Sequence, residues 1–344
     1  MATGSGLSRP ARTRRPSGIE LSSKYAQPPD VRLRSPLHAF KNDTAWRGPF
    51  YFIQGADPQF GMFDGWLRKK TDFTEITWEE DMALMRLAVD DINRLSISPI
   101  PPAFFVICGD LVHEFGINEL KKAQEKDFLI TLNEVNPKIP IVLVPGNHDI
   151  QNTPGQADLD HFKETFGPDY YTFDARGVRC ICINSQFLKT VDEAPASFLT
   201  LQLVFFKWFE AEIARAKADL QSKAIQHAII FQHISWFIQS PDEKTEYFNA
   251  DIEIRQQYLP KLIDAGIKAC FCGHYHKNAQ GRAGPNGELE VVTTTAIGMT
   301  LDHFPNGEVA MSSDPAGMRI VKVHGDAITH EFHPSENFPT EVKL

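Results

Sequence analysis

Five stretches of the 344-residue chain each end an apolar run in side chains that bind cations or carry protons. They are Asp57-Pro58-Gln59 after "PFYFIQGA", Gly109-Asp110 after "AFFVIC", Gly146-Asn147-His148-Asp149 after "IPIVLVP", His233 after "HAIIFQ", and Gly273-His274-Tyr275-His276 after "KACFC". Singly, each has a bland explanation, because Asp and Asn cap helices and Gly-Asp or Gly-Asn starts turns. Asp110 alone reads as a cap or a turn. Together the five endings supply carboxylates, imidazoles and a side-chain amide, and acids brought this close need a cation to offset their repulsion. A metal site accounts for all five.

Such residues need strands to carry them. Apolar runs occupy 49–57, 103–111, 139–149, 178–185, 227–233 and 268–274, followed by 287–298 and a hairpin turning at Gly325-Asp326. The earlier runs are continuously apolar, the pattern of strands buried on both faces, so helices must cover them. Thr77-Trp78-Glu79-Glu80 has capping-box spacing, and Met82, Met85, Val89, Ile92 and Leu95 then mark one helical face. Residues 117–135, 199–220 and 252–264 also read as amphipathic helices, the last stopped near Gly266. The order is β-α-β-α-β and then strands with fewer helices, which predicts a mixed α/β domain with two sheets. In open α/β sheets ligands bind beyond the carboxyl ends of the strands, where the five endings lie.

Composition narrows the function. Hydrophobic residues make up 42% of the chain and aromatics 11%, enough for a full core. No apolar run approaches the roughly 20 residues that span a bilayer, and no apolar leader opens the chain, so the expectation is a cytoplasmic protein without a membrane partner. Residues 1–47 carry nine Lys and Arg against three acids, a net +6, whereas 48–344 carry 26 against 41, a net −15. That acidic body argues against a nucleic-acid partner. Residues 1–45 read as a disordered basic tail with a basophilic kinase-like Arg14-Arg15-Pro16-Ser17, residues 46–334 as the domain, and 335–344 as a short C-terminal tail. Cys108, Cys180, Cys182, Cys270 and Cys272 sit in apolar runs without zinc-knuckle spacing and read as small buried hydrophobes.

G-D-x-x-H, G-N-H-D and G-H-x-H in this order form a specific signal, and with Asp57-Pro58-Gln59 and Gln232-His233 the chain resembles the calcineurin-like metallophosphoesterases from about Trp46 to His333. The resemblance implies an α/β fold in which two mixed β-sheets pack as a sandwich flanked by helices, around two divalent metal ions. Asp110 would bridge both ions, Asp57, Gln59 and His276 would complete the shell of the first, and Asn147, His233 and His274 that of the second. His274 and His276 would share a face on an extended strand; past Gly273 the chain must therefore leave the strand, so that each imidazole reaches a different ion. His148 would protonate the departing oxygen, with Asp149 orienting its ring.

Two departures qualify the resemblance. The first block usually reads Asp-x-His, and here Gln59 supplies a neutral amide oxygen, weaker than imidazole for zinc or iron and compatible with Mn²⁺ or Mg²⁺. The serine/threonine phosphatases of the superfamily carry an arginine soon after the second-block Asp, and here Leu111-Val112-His113-Glu114 follows Asp110. Paired cations activate water for in-line attack on a phosphoryl group. The expected substrate is a phosphoprotein, cleaved as by a serine/threonine phosphatase, or a small phosphate ester. A phosphodiesterase or nucleotide pyrophosphatase is the alternative, and a binding scaffold with weakened catalysis, favoured by Gln59 alone, is the further one. Residues 185–200 and 235–249 are the expected substrate-groove walls, with Trp236, Phe237 and Phe248 equally readable as core.

Overall fold

The computed structural model describes residues 30–41 and 43–344. In chain order the elements are α1 (Pro36–Ala39), β1 (Phe50–Gly55), α2 (Glu79–Ser96), β2 (Phe105–Cys108), α3 (Glu119–Leu132), β3 (Ile141–Val144), α4 (Asn147–Ile150), α5 (Gln156–Thr165), β4 (Tyr171–Ala175), β5 (Val178–Cys182), α6 (Ala196–Gln221), β6 (His227–Phe231), α7 (Ile252–Ala265), β7 (Ala269–Cys272), β8 (Ala279–Ala283), β9 (Leu289–Thr293), β10 (Leu301–His303), β11 (Val309–Met311), β12 (Gly317–Val323) and β13 (Ile328–Pro334). A π-helical turn (Phe63–Leu67) lies between β1 and α2.

Two mixed sheets result, as the sequence implied. One runs β13-β12-β1-β2-β3 and the other β4-β5-β6-β7-β9-β8; β10 and β11 form a separate two-stranded hairpin. β1, β2 and β3 are mutually parallel, as are β5, β6, β7 and β9, while β12 and β4 join their sheets antiparallel.

Strand alternation explains the continuous apolar runs. Phe50, Phe52, Phe104, Val106, Val142, Cys180, Phe231 and Phe271 fill the layer between the sheets, and the neighbours Tyr51, Ile53, Phe105, Ile107, Ile230 and Cys270 face outward onto helices. Phe52 stacks on Phe104 with centroids 4.7 Å apart and meets Phe231 and Phe271 edge-on, the geometry that ring quadrupoles favour. All five cysteines are free and buried in these layers, and burial pushes their thiols up.

Three expectations change. Thr77 does not cap α2; its backbone N–H and hydroxyl both donate to the buried Asp64, and the N-cap residue Trp78 makes no side-chain cap. Within the expected tail, described residues pack on the body: Val31 is buried, Arg34 donates to the carbonyls of Asn136 and Ile139, Phe40 stacks on Phe173, and Asp43 accepts from the backbone of Arg176. The expected C-terminal tail likewise buries Phe338 and Val342 in the helix-side core. In both segments scattered apolar residues find neighbours that a local reading does not supply. The kinase-like Arg14–Ser17 stretch lies outside the described residues.

Candidate metal centre

The carboxyl ends of β1, β2, β3, β6 and β7 meet at one edge. Beyond β1 and β2 the two loops run on side by side, Asp57 N–H donating to the Gly109 carbonyl and Gln59 N–H to the Asp110 carbonyl at 3.0 Å each. Asp57, Gln59, Asp110, His274 and His276 all adopt left-handed backbone conformations, with φ between 41° and 69°. Side chains rarely adopt that region, and each instance costs of order 1–3 kcal/mol, so five in one cleft mark a functional site. Glycines make the approach possible: a Cβ on Gly146 would lie 2.1 Å from Asp110 Oδ1, and Gly109 sits at φ +83° against the His233 ring.

Ligand atoms of Asp110, His233 and His274 lie within 4.8 Å of one another, and so do those of Asp57, Asp110 and His276, Asp110 being common to both groups. His276 Nε2 is 3.4 Å from Asp57 Oδ1, and His233 Nε2 is 3.3 Å from Asp110 Oδ2 and 3.2 Å from Asn147 Oδ1. Backbone carbonyls select the tautomers. His233 Nδ1 donates to Cys108 and His276 Nδ1 to Met299, leaving both Nε2 lone pairs toward the acids, while His274 Nε2 donates to the Tyr247 carbonyl and leaves Nδ1 free. The Gln59 amide is set by His113, whose Nδ1 accepts from Gln59 Nε2 at 3.4 Å. Its oxygen is buried.

Electrostatics confirm a site built for positive charge. Burial and the neighbouring Asp110 push Asp57 well above the usual carboxylate range. Burial also acts on Asp110, but the His233 and His148 imidazoles beside it hold its carboxyl far below that range. His233 shows the converse: burial lowers it, yet Asp110 raises it to about 9, which marks an attraction for positive charge at Nε2 that a cation would satisfy in place of a proton. Burial drives His274 well down and His276 down to about 4, leaving their lone pairs available. Asp57 Oδ1 and Gln59 Oε1 are buried without any hydrogen-bond partner. Oxygens stranded in this way are costly unless something unseen satisfies them. A pair of divalent cations fits this donor set, which has the carboxylate, amide and imidazole chemistry of such sites.

His148 stands beside this cluster with Nε2 4.0 Å from Asp110 Oδ2. Its ring lies between His113 and Phe115, with centroids at 4.9 and 4.0 Å, and Nδ1 bonds the His113 carbonyl. The expectation that Asp149 orients this ring is corrected. Asp149 accepts from the backbone N–H of Leu111 at 3.0 Å and of Gly146 at 2.7 Å, so it holds two loops together. Burial, and then Asp110, raise its carboxyl to about 7. Lys121, buried, donates to the carbonyls of both His148 and Asp149 at 2.7 Å.

The cleft above, about 400 Å³, differs from its expected walls. Tyr247 and Phe248 line it, but Trp236 and Phe237 are wholly buried and the 185–200 stretch contributes nothing. That stretch packs behind instead, Lys189 bonding the carbonyls of Glu246 and Asn249. The missing walls are Met62, Trp66 and Lys69 on the π-helical segment and Leu301 and Val309 on the β10–β11 hairpin. The sequence signal available was "GMFDGWLRKK", aromatic and basic yet directly after the first block.

Comparison with known proteins agrees with this picture. The calcineurin-like phosphoesterase family profile matches residues 83–278, more than half of the chain. The first block, with Gln59, lies outside that match. The serine/threonine-protein phosphatase CPPED1 of Bos taurus is 38% identical over 299 residues, covering 86% of this chain and 88% of the relative. That of Homo sapiens is 37% identical over 294 residues, covering 85% and 86%. A dimetal phosphatase structure from Danio rerio superposes with TM-score 0.56 at 14% identity, covering 84% of this chain and 97% of its own, and so shares the fold.

Proposed function

This chain belongs to the calcineurin-like phosphoesterase family, and from that premise we propose that it is a two-metal serine/threonine phosphoprotein phosphatase. The observation that carries this reading is the membership of Asp110 in both ligand clusters, with Asp57 and Gln59 oxygens stranded beside it. Asp57, Gln59, Asp110 and His276 would hold one ion and Asp110, Asn147, His233 and His274 the other. Bound there, divalent cations supply charge neutralisation for phosphoryl oxygens and activation of water for in-line attack. Gln59 favours Mn²⁺ or Mg²⁺ over zinc or iron at the first position.

The protein's own groups do the rest. His148 is held by its backbone-bonded Nδ1 with Nε2 turned toward Asp110, where it can deliver a proton to the leaving oxygen. His113 and Phe115 restrict its rotation, and Lys121 anchors the carbonyls of the loop that carries it. Its similarity to serine/threonine-protein phosphatases supports a phosphoprotein substrate. A scaffold with abandoned chemistry fits less well, because His148 is retained beside Asp110.

Parallel Mn²⁺-supplemented assays on a phosphoserine peptide, p-nitrophenyl phosphate and bis-p-nitrophenyl phosphate test the reading, with His148→Ala as control. Monoester turnover lost in the control by about 10²–10⁴-fold is expected. Preferential diester turnover supports the phosphodiesterase instead, and a fully metallated but silent protein supports the scaffold.

A further inference from the structure

Arginine is absent from the second block, yet the cleft retains one cation. Among the side chains lining it, Lys69 is the single Lys or Arg. It stands between two basic neighbours that face elsewhere. Arg68 Nη1 and Lys70 Nζ both bind the buried Asp64, at 2.8 and 2.7 Å, and Asp64 also accepts from Thr77 N–H at 2.8 Å. Asp64 thus clamps the segment on both sides of Lys69, and Lys69 itself takes a left-handed conformation at φ 55°. The clamp engages two cations and leaves the third bordering the cleft. Among the described residues Lys69 has no carboxylate partner, and its ammonium rests 4.8 Å from the ring centroid of Trp66, another wall of the cleft.

An unpaired ammonium above a phosphoesterase centre has a natural counterion, a non-bridging phosphoryl oxygen. An ammonium acts there as a point charge without the bidentate geometry of arginine. A monoester dianion gains more from it than a diester monoanion, since Coulomb attraction scales with ligand charge.

We propose that Lys69, held out by the Asp64 clamp, is the phosphate-binding cation of this site and selects phosphate monoesters over diesters. The inference rests on the phosphoesterase reading above.

The test uses the full chain loaded with Mn²⁺, comparing wild type, Lys69→Gln and Lys69→Arg, with metal content measured throughout. Binding of inorganic phosphate is followed by calorimetry, and kcat and KM are measured on p-nitrophenyl phosphate and bis-p-nitrophenyl phosphate. Lys69→Gln should weaken phosphate binding and raise monoester KM by about tenfold, lower diester kcat/KM by only about threefold and retain its metal, with Lys69→Arg recovering most of the loss. Unchanged phosphate affinity, or equal losses on both esters, overturns the role of Lys69. The two readings fail separately: a wild type that cleaves neither ester but loses phosphate affinity with Lys69→Gln refutes the hydrolase and keeps the cation, whereas an active wild type indifferent to Lys69→Gln does the reverse.

Discussion

Asn147 donates its Nδ2 hydrogen to the Tyr247 hydroxyl at 3.0 Å, which turns its Oδ1 toward His233 Nε2. The same tyrosine accepts from His274 through its carbonyl, so one residue orients two candidate ligands. Tyr247→Phe should keep the second bond and lose the first. Removing such an outer contact typically costs about 10–100-fold in metal affinity, and a value near the lower end is expected here. Mn²⁺ titration under a buffered chelator measures it; an unaltered affinity would show that Asn147 needs no orienting partner.

Lys121 should matter through the loop it anchors. The residue is 1% exposed, and its ammonium bonds the carbonyls of His148 and Asp149. Lys121→Met keeps the stem and strands both oxygens, costing about 3 kcal/mol on the scale of hydrogen bonds to charged groups. Urea unfolding reads the loss, and kcat should fall with retained metal content. A drop in stability alone would make the lysine purely architectural.

Asp110 joins the two ligand groups, whereas His276 belongs to one. Asp110→Ala should therefore empty the centre and His276→Ala should spare the ion near His233. Elemental analysis after dialysis distinguishes the two. Equal metal content in both variants would contradict the shared role.

Gln59 offers an amide oxygen where an imidazole would bind more firmly. Gln59→His is expected to retain more metal after dialysis and to depend less on added Mn²⁺. Identical metal content and activity in both forms would remove the significance attached to this position.

Asp81 gives the fold a pH dependence away from the ligands. Its Oδ2 accepts from Gly61 N–H at 3.0 Å, its Oδ1 has no partner, and burial raises its carboxyl to about 8. The folded state therefore holds the proton more tightly than the unfolded chain, whose value is near 3.8. Its contribution to stability is complete below about pH 4 and is lost as pH rises through about 8. Asp81→Asn retains an acceptor for Gly61 and cannot ionise, so its melting temperature should exceed that of wild type increasingly from pH 6 to 8.5. Parallel melting curves for the two proteins would exclude this assignment.

Much of the centre was legible because a strand that ends in a ligand carries a local signature. Asp57, Asp110, Asn147, His233 and His274 each follow an apolar run within three residues of its strand end. The contacts of Asp149 were legible only in part: Gly146 is three residues away, but Leu111 lies 38 positions back on another loop. Lys121 was hidden for a similar reason. It sits on an ordinary amphipathic helix, and only packing brings its ammonium to the His148 loop, 27 positions along the chain. Thr77 looked like a cap because capping is a local pattern, but Asp64, 13 residues earlier, offered its hydroxyl a stronger, charged acceptor.

The sequence by itself determined the strand runs, the helix stripes and the kinds of donor at each strand end, because periodicity and residue chemistry are properties of short segments. Tertiary structure alone decided that backbone carbonyls choose the imidazole tautomers and that Lys69, rather than the 185–200 stretch, borders the cleft. Those facts depend on distances between segments far apart along the chain, and such distances exist only once both sheets have packed.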